Sequence, residues 1–309
     1  MKLLNISKKE VFKKSLAFFV SGFLLFLIFN KIEIEKVYKT LIKSNLYLVL
    51  ITLIISFFVN IVLGTYKWNR ILYILGFSLP FREALNIRCG FLPFKLIFPL
   101  KTPELIKAFY LEKKKNIPIL KAISSLITDR VFNLIATLSI FLVGLIFVRM
   151  KLNFLFPFSL LLFLFAFVFL NFPRKILLKI SKLINVKIYQ FTLQVLSGLM
   201  DLNFSQKFIL TFYSFLYQLS EFINTYLLFK AVGLEISFWL ICIFIPLVIV
   251  INNLPITVLG LGTREALLIF LFSNYGAKEL ILSAGLLVSL IEHIFPVLVG
   301  IFFIRKIIR

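Results

Sequence analysis

A single histidine, His293, and two cysteines, Cys89 and Cys242, are the only imidazole and thiols that this chain offers to a metal or a disulfide. One imidazole cannot build a His-rich zinc cluster, and two thiols in apolar surroundings make no disulfide framework. Acidic residues are scarce as well: 13 Asp and Glu stand against 35 Lys and Arg, a formal charge of +22. No carboxylate cluster suited to metal-dependent sugar transfer occurs, and no nucleotide-binding motif. A cleavage site of small residues is also missing. After Lys2, Lys8, Lys9, Lys13 and Lys14, the apolar run 15–30 ends Leu27-Ile28-Phe29-Asn30-Lys31, which predicts a retained signal-anchor helix.

What the chain has in excess is apolar bulk. Hydrophobic residues make up 61%, with 39 Phe and a mean hydropathy of +1.03, the composition of a polytopic, all-α membrane protein. Stretches nearly free of charge predict about six spanning helices, near 15–30, 44–66, 119–148, 153–171, 207–229 and 280–304. In a soluble protein the basic excess would suggest nucleic acid. Here the basic residues fall mainly between apolar runs and follow the positive-inside rule, so anionic headgroups are the expected partner and nucleic acid is not. With both termini cytoplasmic, 21 basic residues lie inside and 8 outside, consistent with the cell (inner, cytoplasmic) membrane. The basic, amphipathic linker 172–206 is expected to lie on the cytoplasmic membrane surface and to divide two halves, about 67–150 and 220–305.

Two apolar stretches do not read as simple spans. From Ile236 to Thr263 run 28 residues without a charge, ending Asn252-Asn253-Leu254-Pro255 and then Gly260-Leu261-Gly262-Thr263-Arg264-Glu265. Broken helix at membrane depth is tolerated only where it is buried in protein or lines a wet cavity. Segments 83–115 and 236–276 are therefore predicted to be re-entrant hairpins. They echo one another: Leu75-Gly76 with Val232-Gly233, Pro99 with Pro255, Thr102-Pro103-Glu104 with Thr263-Arg264-Glu265, and Asp129-Arg130 with Glu292-His293. Four features in one order suggest a duplication, and the expected topology makes it an inverted repeat of the kind found in secondary transporters.

The hairpins hold the candidate binding residues: Glu104, Lys107, Asp129, Arg130, Thr263, Arg264 and Glu265. Thr102 and Thr263 are placed to cap short helices, with Glu104 and Glu265 in the first turns. On one reading these carboxylates only pair with Arg130 or Arg264. On the other, helix N-termini with Arg264, Arg130 and Lys107 take a phosphate-sized anion. Asp129-Arg130 falls about ten residues into its helix, which calls for an ion pair facing the bundle interior. Glu292 and His293 sit mid-helix, and packing of His293 or its pairing with Glu292 is expected there rather than a proton relay. No metal, cofactor or catalytic residue is expected.

Pro255 to Glu265 (Pro-Ile-Thr-Val-Leu-Gly-Leu-Gly-Thr-Arg-Glu) resembles the signature of the flippase-like transmembrane region of lysylphosphatidylglycerol synthases. Pro99-Leu-Lys-Thr-Pro-Glu104 with Lys107, and Asp129-Arg130 with Asn133-Leu134, are similar to that family's earlier segments. The resemblance covers about 10–305. It implies a lipid or lipid-linked anion, phospholipid or isoprenoid-linked, handled by the membrane part. The chain ends at Arg309 directly after its last helix, so a stand-alone member without the aminoacyltransferase domain is expected, and not an enzyme. The preferred function is a lipid flippase or transporter. The alternative is a non-catalytic membrane subunit that docks a membrane enzyme of lipid-linked glycan or phospholipid modification. An integral-membrane transferase ranks third.

Overall fold

In the computed structural model the described residues are 8–97, 102–148, 160, 196, 198–199, 202–252, 257 and 260–308. Every regular element among them is helical. Three helices are long and apolar enough to cross a membrane: Leu46–Ile74, Ile119–Phe147 and Lys278–Ile307. At 29 or 30 residues each, they extend about 44 Å, comfortably more than a hydrocarbon core of about 30 Å. Phe204–Ala231 is similar in length but carries Ser214, Gln218, Glu221, Asn224 and Thr225 along it. Lys8–Lys31 is helical, as the signal-anchor reading requires. The span expected near 153–171 and most of the linker 172–206 lie outside the described residues.

The interrupted stretches are interrupted. Phe81–Gly90, Phe94–Ile97 and Thr102–Lys115 occupy the first, and Phe238–Asn252 and Thr263–Phe272 the second. Fifteen residues reach only about 22 Å and ten only about 15 Å, too little to cross. Pro99 and Pro255 lie outside the described residues.

Two runs of chain share one order of elements. Leu46–Ile74 ends at Gly76 (φ +91°), and Phe204–Ala231 ends at Gly233 (φ +85°). Both ends close in the same way: the Phe77 N–H donates back to the Leu72 carbonyl (2.9 Å) and the Leu234 N–H to the Phe229 carbonyl (3.0 Å). This six-to-one closure satisfies carbonyls that the helix end would leave bare. Five residues after each glycine a short helix begins, at Phe81 and at Phe238. Thr102–Lys115 in the first run and Thr263–Phe272 in the second then lead to a long helix, and the first run has the four-residue helix Phe94–Ile97 in addition.

The chain forms two compact units. The first holds 1–57, 89–103 and 222–309; the second holds 58–88 and 104–221. In the first, Ile32, Val37 and Leu282 form a buried cluster flanked by Ile28, Phe29, Leu41, Ile269 and Leu286. Val37 belongs to Ile34–Lys43, an amphipathic helix where only a basic outer loop was expected. Its polar side carries exposed Lys36–Glu33 and Lys39–Glu35 pairs, which contribute little to stability. In the second unit Ile71, Phe132, Leu202 and Leu210 form the core. There Asn60 meets Tyr217 (2.6 Å) and Lys67 meets Ser214 (3.3 Å). Numbers rise in one helix as they fall in the other, so the two helices run antiparallel.

Two helices contain π-helical turns, Phe57–Leu63 and Ser289–Ile294. Such bulges cost hydrogen-bond quality and occur frequently at functional sites. Cys89 and Cys242 are buried and are not joined in a disulfide.

Candidate functional site

In the first unit the site is built where Thr263–Phe272 begins. Gly260 (φ +79°) and Gly262 (φ +85°) turn the chain, and Gly262, not Thr263, is the N-cap. Glycine offers no side chain, so only the carboxylate half of a capping box is present: the Gly262 N–H donates to Glu265 Oε2 (2.7 Å). Thr263 lies one residue too late to cap. Its hydroxyl instead meets Asn252 Oδ1 (3.1 Å), Thr257 Oγ1 (2.9 Å) and the Gly260 carbonyl (3.1 Å). A Cβ on Gly262 would lie 3.0 Å from Leu24 Cβ and 3.1 Å from the Ser21 carbonyl. Gly262→Ala therefore combines left-handed strain with crowding and should destabilise by about 1–3 kcal/mol. A thermal unfolding series in mild detergent measures this, and an unchanged melting temperature would refute it.

Arg264 and Glu265 are both buried. They are joined through Ser289 on the π-helical turn: Arg264 Nη1 donates to Ser289 Oγ (2.8 Å), which donates to Glu265 Oε1 (2.6 Å). A hydroxyl relays between guanidinium and carboxylate, so both charges are held in low dielectric without fork geometry. The same turn carries Glu292. Its partners include the Asn224 side-chain amide and Ser56 Oγ (3.5 Å). Asn224 also donates to the Thr52 carbonyl (3.4 Å). His293 is partly buried beside this network.

In the second unit Asp129 and Arg130 do not pair with one another. Consecutive helical residues point about 100° apart, so each finds a different neighbour. Asp129 Oδ1 meets Lys67 Nζ at 2.9 Å, and Arg130 meets Glu104. Lys67 also donates to Asn133 and lies 5.1 Å from the centre of the Tyr217 ring. Lys107, expected as a first contact for an arriving headgroup, is buried, with its ammonium 3.2 Å from the centre of the Trp68 ring. Trp68 Nε1 in turn donates to Ser125 Oγ (3.3 Å). Lys67 and Lys207, taken from the sequence as loop charges, are buried too.

The seven predicted residues thus fall into two sets. Thr263, Arg264 and Glu265 stand together at one helix start in the first unit; Glu104, Lys107, Asp129 and Arg130 lie in the second. The pairing of Glu104 with Arg130 agrees with expectation. Sequence reasoning missed Ser289, Asn224 and Asn252 in the first network and Lys67, Arg88, Asn60 and Ser214 in the second. A usable signal existed for Asn60 and Asn224, which stand as carboxamides inside apolar helices. None existed for Ser289. Among the described residues no group of three or more His, Cys, Asp and Glu could hold a metal ion.

Residues 15–300 match the family described as the lysylphosphatidylglycerol synthase TM region. The chain is also 24% identical to the UPF0104 membrane protein MJ1595 of Methanocaldococcus jannaschii, over 95% of this chain and 94% of that protein. The relative's name places it in a membrane, as the three long apolar helices place this chain. With nearly its whole length inside the match, and with the Gly-Thr-Arg-Glu helix start at its polar centre, this multi-pass membrane protein belongs to the lysylphosphatidylglycerol synthase TM-region family.

Proposed function

We propose that this protein is a lipid transporter of the flippase type, and that the Arg264 network handles the anionic or lipid-linked headgroup while the acyl tails stay in the bilayer. The observation that carries the reading is the buried Arg264–Ser289–Glu265 relay at the start of a ten-residue helix that follows an apolar helix too short to cross. Buried charge and broken helix are both costly in a membrane and are kept where substrates pass. An arriving phosphate oxygen competes with Ser289 for the guanidinium, and Glu265 holds Arg264 in the interval. Charged groups there bind reversibly, which transport requires.

The re-entrant, inverted-repeat architecture belongs to the same reading. Its support is the shared order of elements and the antiparallel course of Leu46–Ile74 and Phe204–Ala231. Asn60 and Tyr217, which touch, are 157 residues apart, the separation of Gly76 from Gly233. Contact between equivalent positions is what a two-fold relation between repeats produces. Both termini are placed in the cytoplasm on the charge count.

The test is transbilayer movement of a fluorescent phosphatidylglycerol in proteoliposomes. Arg264→Ala should reduce it to the protein-free rate, with Arg264→Lys folded and partly active. Transport by Arg264→Ala at the wild-type rate would refute the assignment. No transport by wild-type protein, together with co-purification of a lipid-modifying enzyme, would favour the subunit reading instead.

A further inference from the structure

Lys67 is the most deeply placed ion-pair member of the second unit. It lies seven residues before the end of Leu46–Ile74, with its side chain 3% exposed. Around it stand Asp129 at 2.9 Å, Asn133, Ser214 at 3.3 Å and the Tyr217 ring. Arg88 and Arg130 lie within electrostatic range of both Lys67 and Asp129. Arg88 donates to the Asn60 carbonyl in the π-helical turn, and its guanidinium occupies the place a Cβ on Gly64 would need. Arg130 pairs with Glu104. Among the described residues three cations of this cluster therefore face two carboxylates, Asp129 and Glu104, one formal positive charge in excess. Inside a membrane-embedded unit such a surplus is costly unless an anion offsets it.

The cluster also opens outward. Exposure rises from Lys67 to 21% at Asp129 and 49% at Arg130. The cationic side chains themselves grow drier from exposed Arg130 through half-buried Arg88 to buried Lys67.

The other run of chain shows what packing alone requires. Lys67 and Asn224 each stand nine residues before the left-handed glycine that follows their helix, Gly76 and Gly233. Each meets a carboxylate on the long helix that closes its run: Lys67 forms an ion pair with Asp129 (2.9 Å) and Asn224 donates to Glu292. An amide holds that helix–helix contact in one copy. The ammonium in the other is more than the contact needs.

We infer that Lys67, with Arg88 and Arg130, forms a second anion site, separate from the Arg264 network, for a singly charged phosphoryl group, a phosphodiester or dihydrogen phosphate. Lys67 supplies the charge, Asn133 and Ser214 hold it in place, and Asp129 keeps it balanced when the site is empty. The ligand's source is either a lipid headgroup or free phosphate. The inference concerns binding and does not depend on the transport reading.

The test is equilibrium binding to the purified full chain in detergent, with inorganic phosphate and short-chain phosphatidylglycerol as probes. Lys67→Asn, which installs the residue of the other copy, should retain the wild-type melting profile and bind roughly tenfold more weakly. Lys67→Arg should bind within about threefold of wild type. Binding of the lipid alone assigns a headgroup, and binding of phosphate as well assigns the phosphoryl group itself; both support the site. Wild-type protein that binds neither probe overturns it. So does binding abolished by Arg264→Ala and untouched by Lys67→Asn. Should Lys67→Asn fail to fold, Arg88→Gln carries the same expected loss, and unchanged affinity there overturns the proposal.

Discussion

Glu265→Ala is expected to destabilise the protein by about 3–5 kcal/mol, the range for removing one partner of a buried charge network. The carboxylate is fully buried and accepts from two donors: the Gly262 N–H at 2.7 Å and Ser289 Oγ at 2.6 Å. Its loss bares the N–H of Gly262, the N-cap of Thr263–Phe272, removes the acceptor for Ser289, and leaves the buried Arg264 guanidinium without this carboxylate. Glu265→Gln keeps the shape and one acceptor oxygen, so a smaller loss of about 1–3 kcal/mol is expected. Arg264→Ala/Glu265→Ala should cost less than the sum of its single variants, because the second removal relieves the charge stranded by the first. Denaturant or thermal unfolding in mild detergent measures all four proteins. A Glu265→Ala melting curve that overlays wild type would show that the relay does not hold the helix start.

Asp129→Leu should have a comparable effect, about 3–5 kcal/mol, for a different reason. Here the carboxylate is the partly open partner, and the stranded group is Lys67, almost fully buried. Asn133 and Ser214 orient the ammonium but bring no negative charge. Nearby Arg88 and Arg130 then repel it with nothing between them. Lys67→Met/Asp129→Leu should recover most of the stability lost by Asp129→Leu, since an apolar pair of similar volume replaces a buried ion pair at little cost. Simple additivity of the two single substitutions, in a double-mutant cycle on unfolding free energies, would show that Lys67 and Asp129 are not coupled.

The candidate site was partly legible in the sequence. A charged Thr-Arg-Glu triplet after a long charge-free run, with glycines before it, marked the start of Thr263–Phe272 as unusual before any coordinates. The cap was assigned one residue late, because a Thr beside Gly reads as the better cap while a required left-handed turn leaves only glycine there. The depth of Asp129-Arg130 in its helix calls for ion pairing, and helix geometry, which turns adjacent side chains apart, directs Asp129 to Lys67 and Arg130 to Glu104. The partners of Glu292 on other helices, Asn224 and Ser56, are distant in sequence.

From the chain alone followed everything that depends on local composition: an all-helical membrane protein, helices long enough to span, two stretches too interrupted to do so, and the glycines that end two long helices alike. Transfer energy and backbone geometry act residue by residue, and the sequence states them directly. Which lysine meets which aspartate was decided only in three dimensions. Lys67 looked like one more basic residue near a helix end until Asp129, Asn133 and Ser214 closed around it. Charge pairing across helices depends on rotation and register, which no single helix encodes.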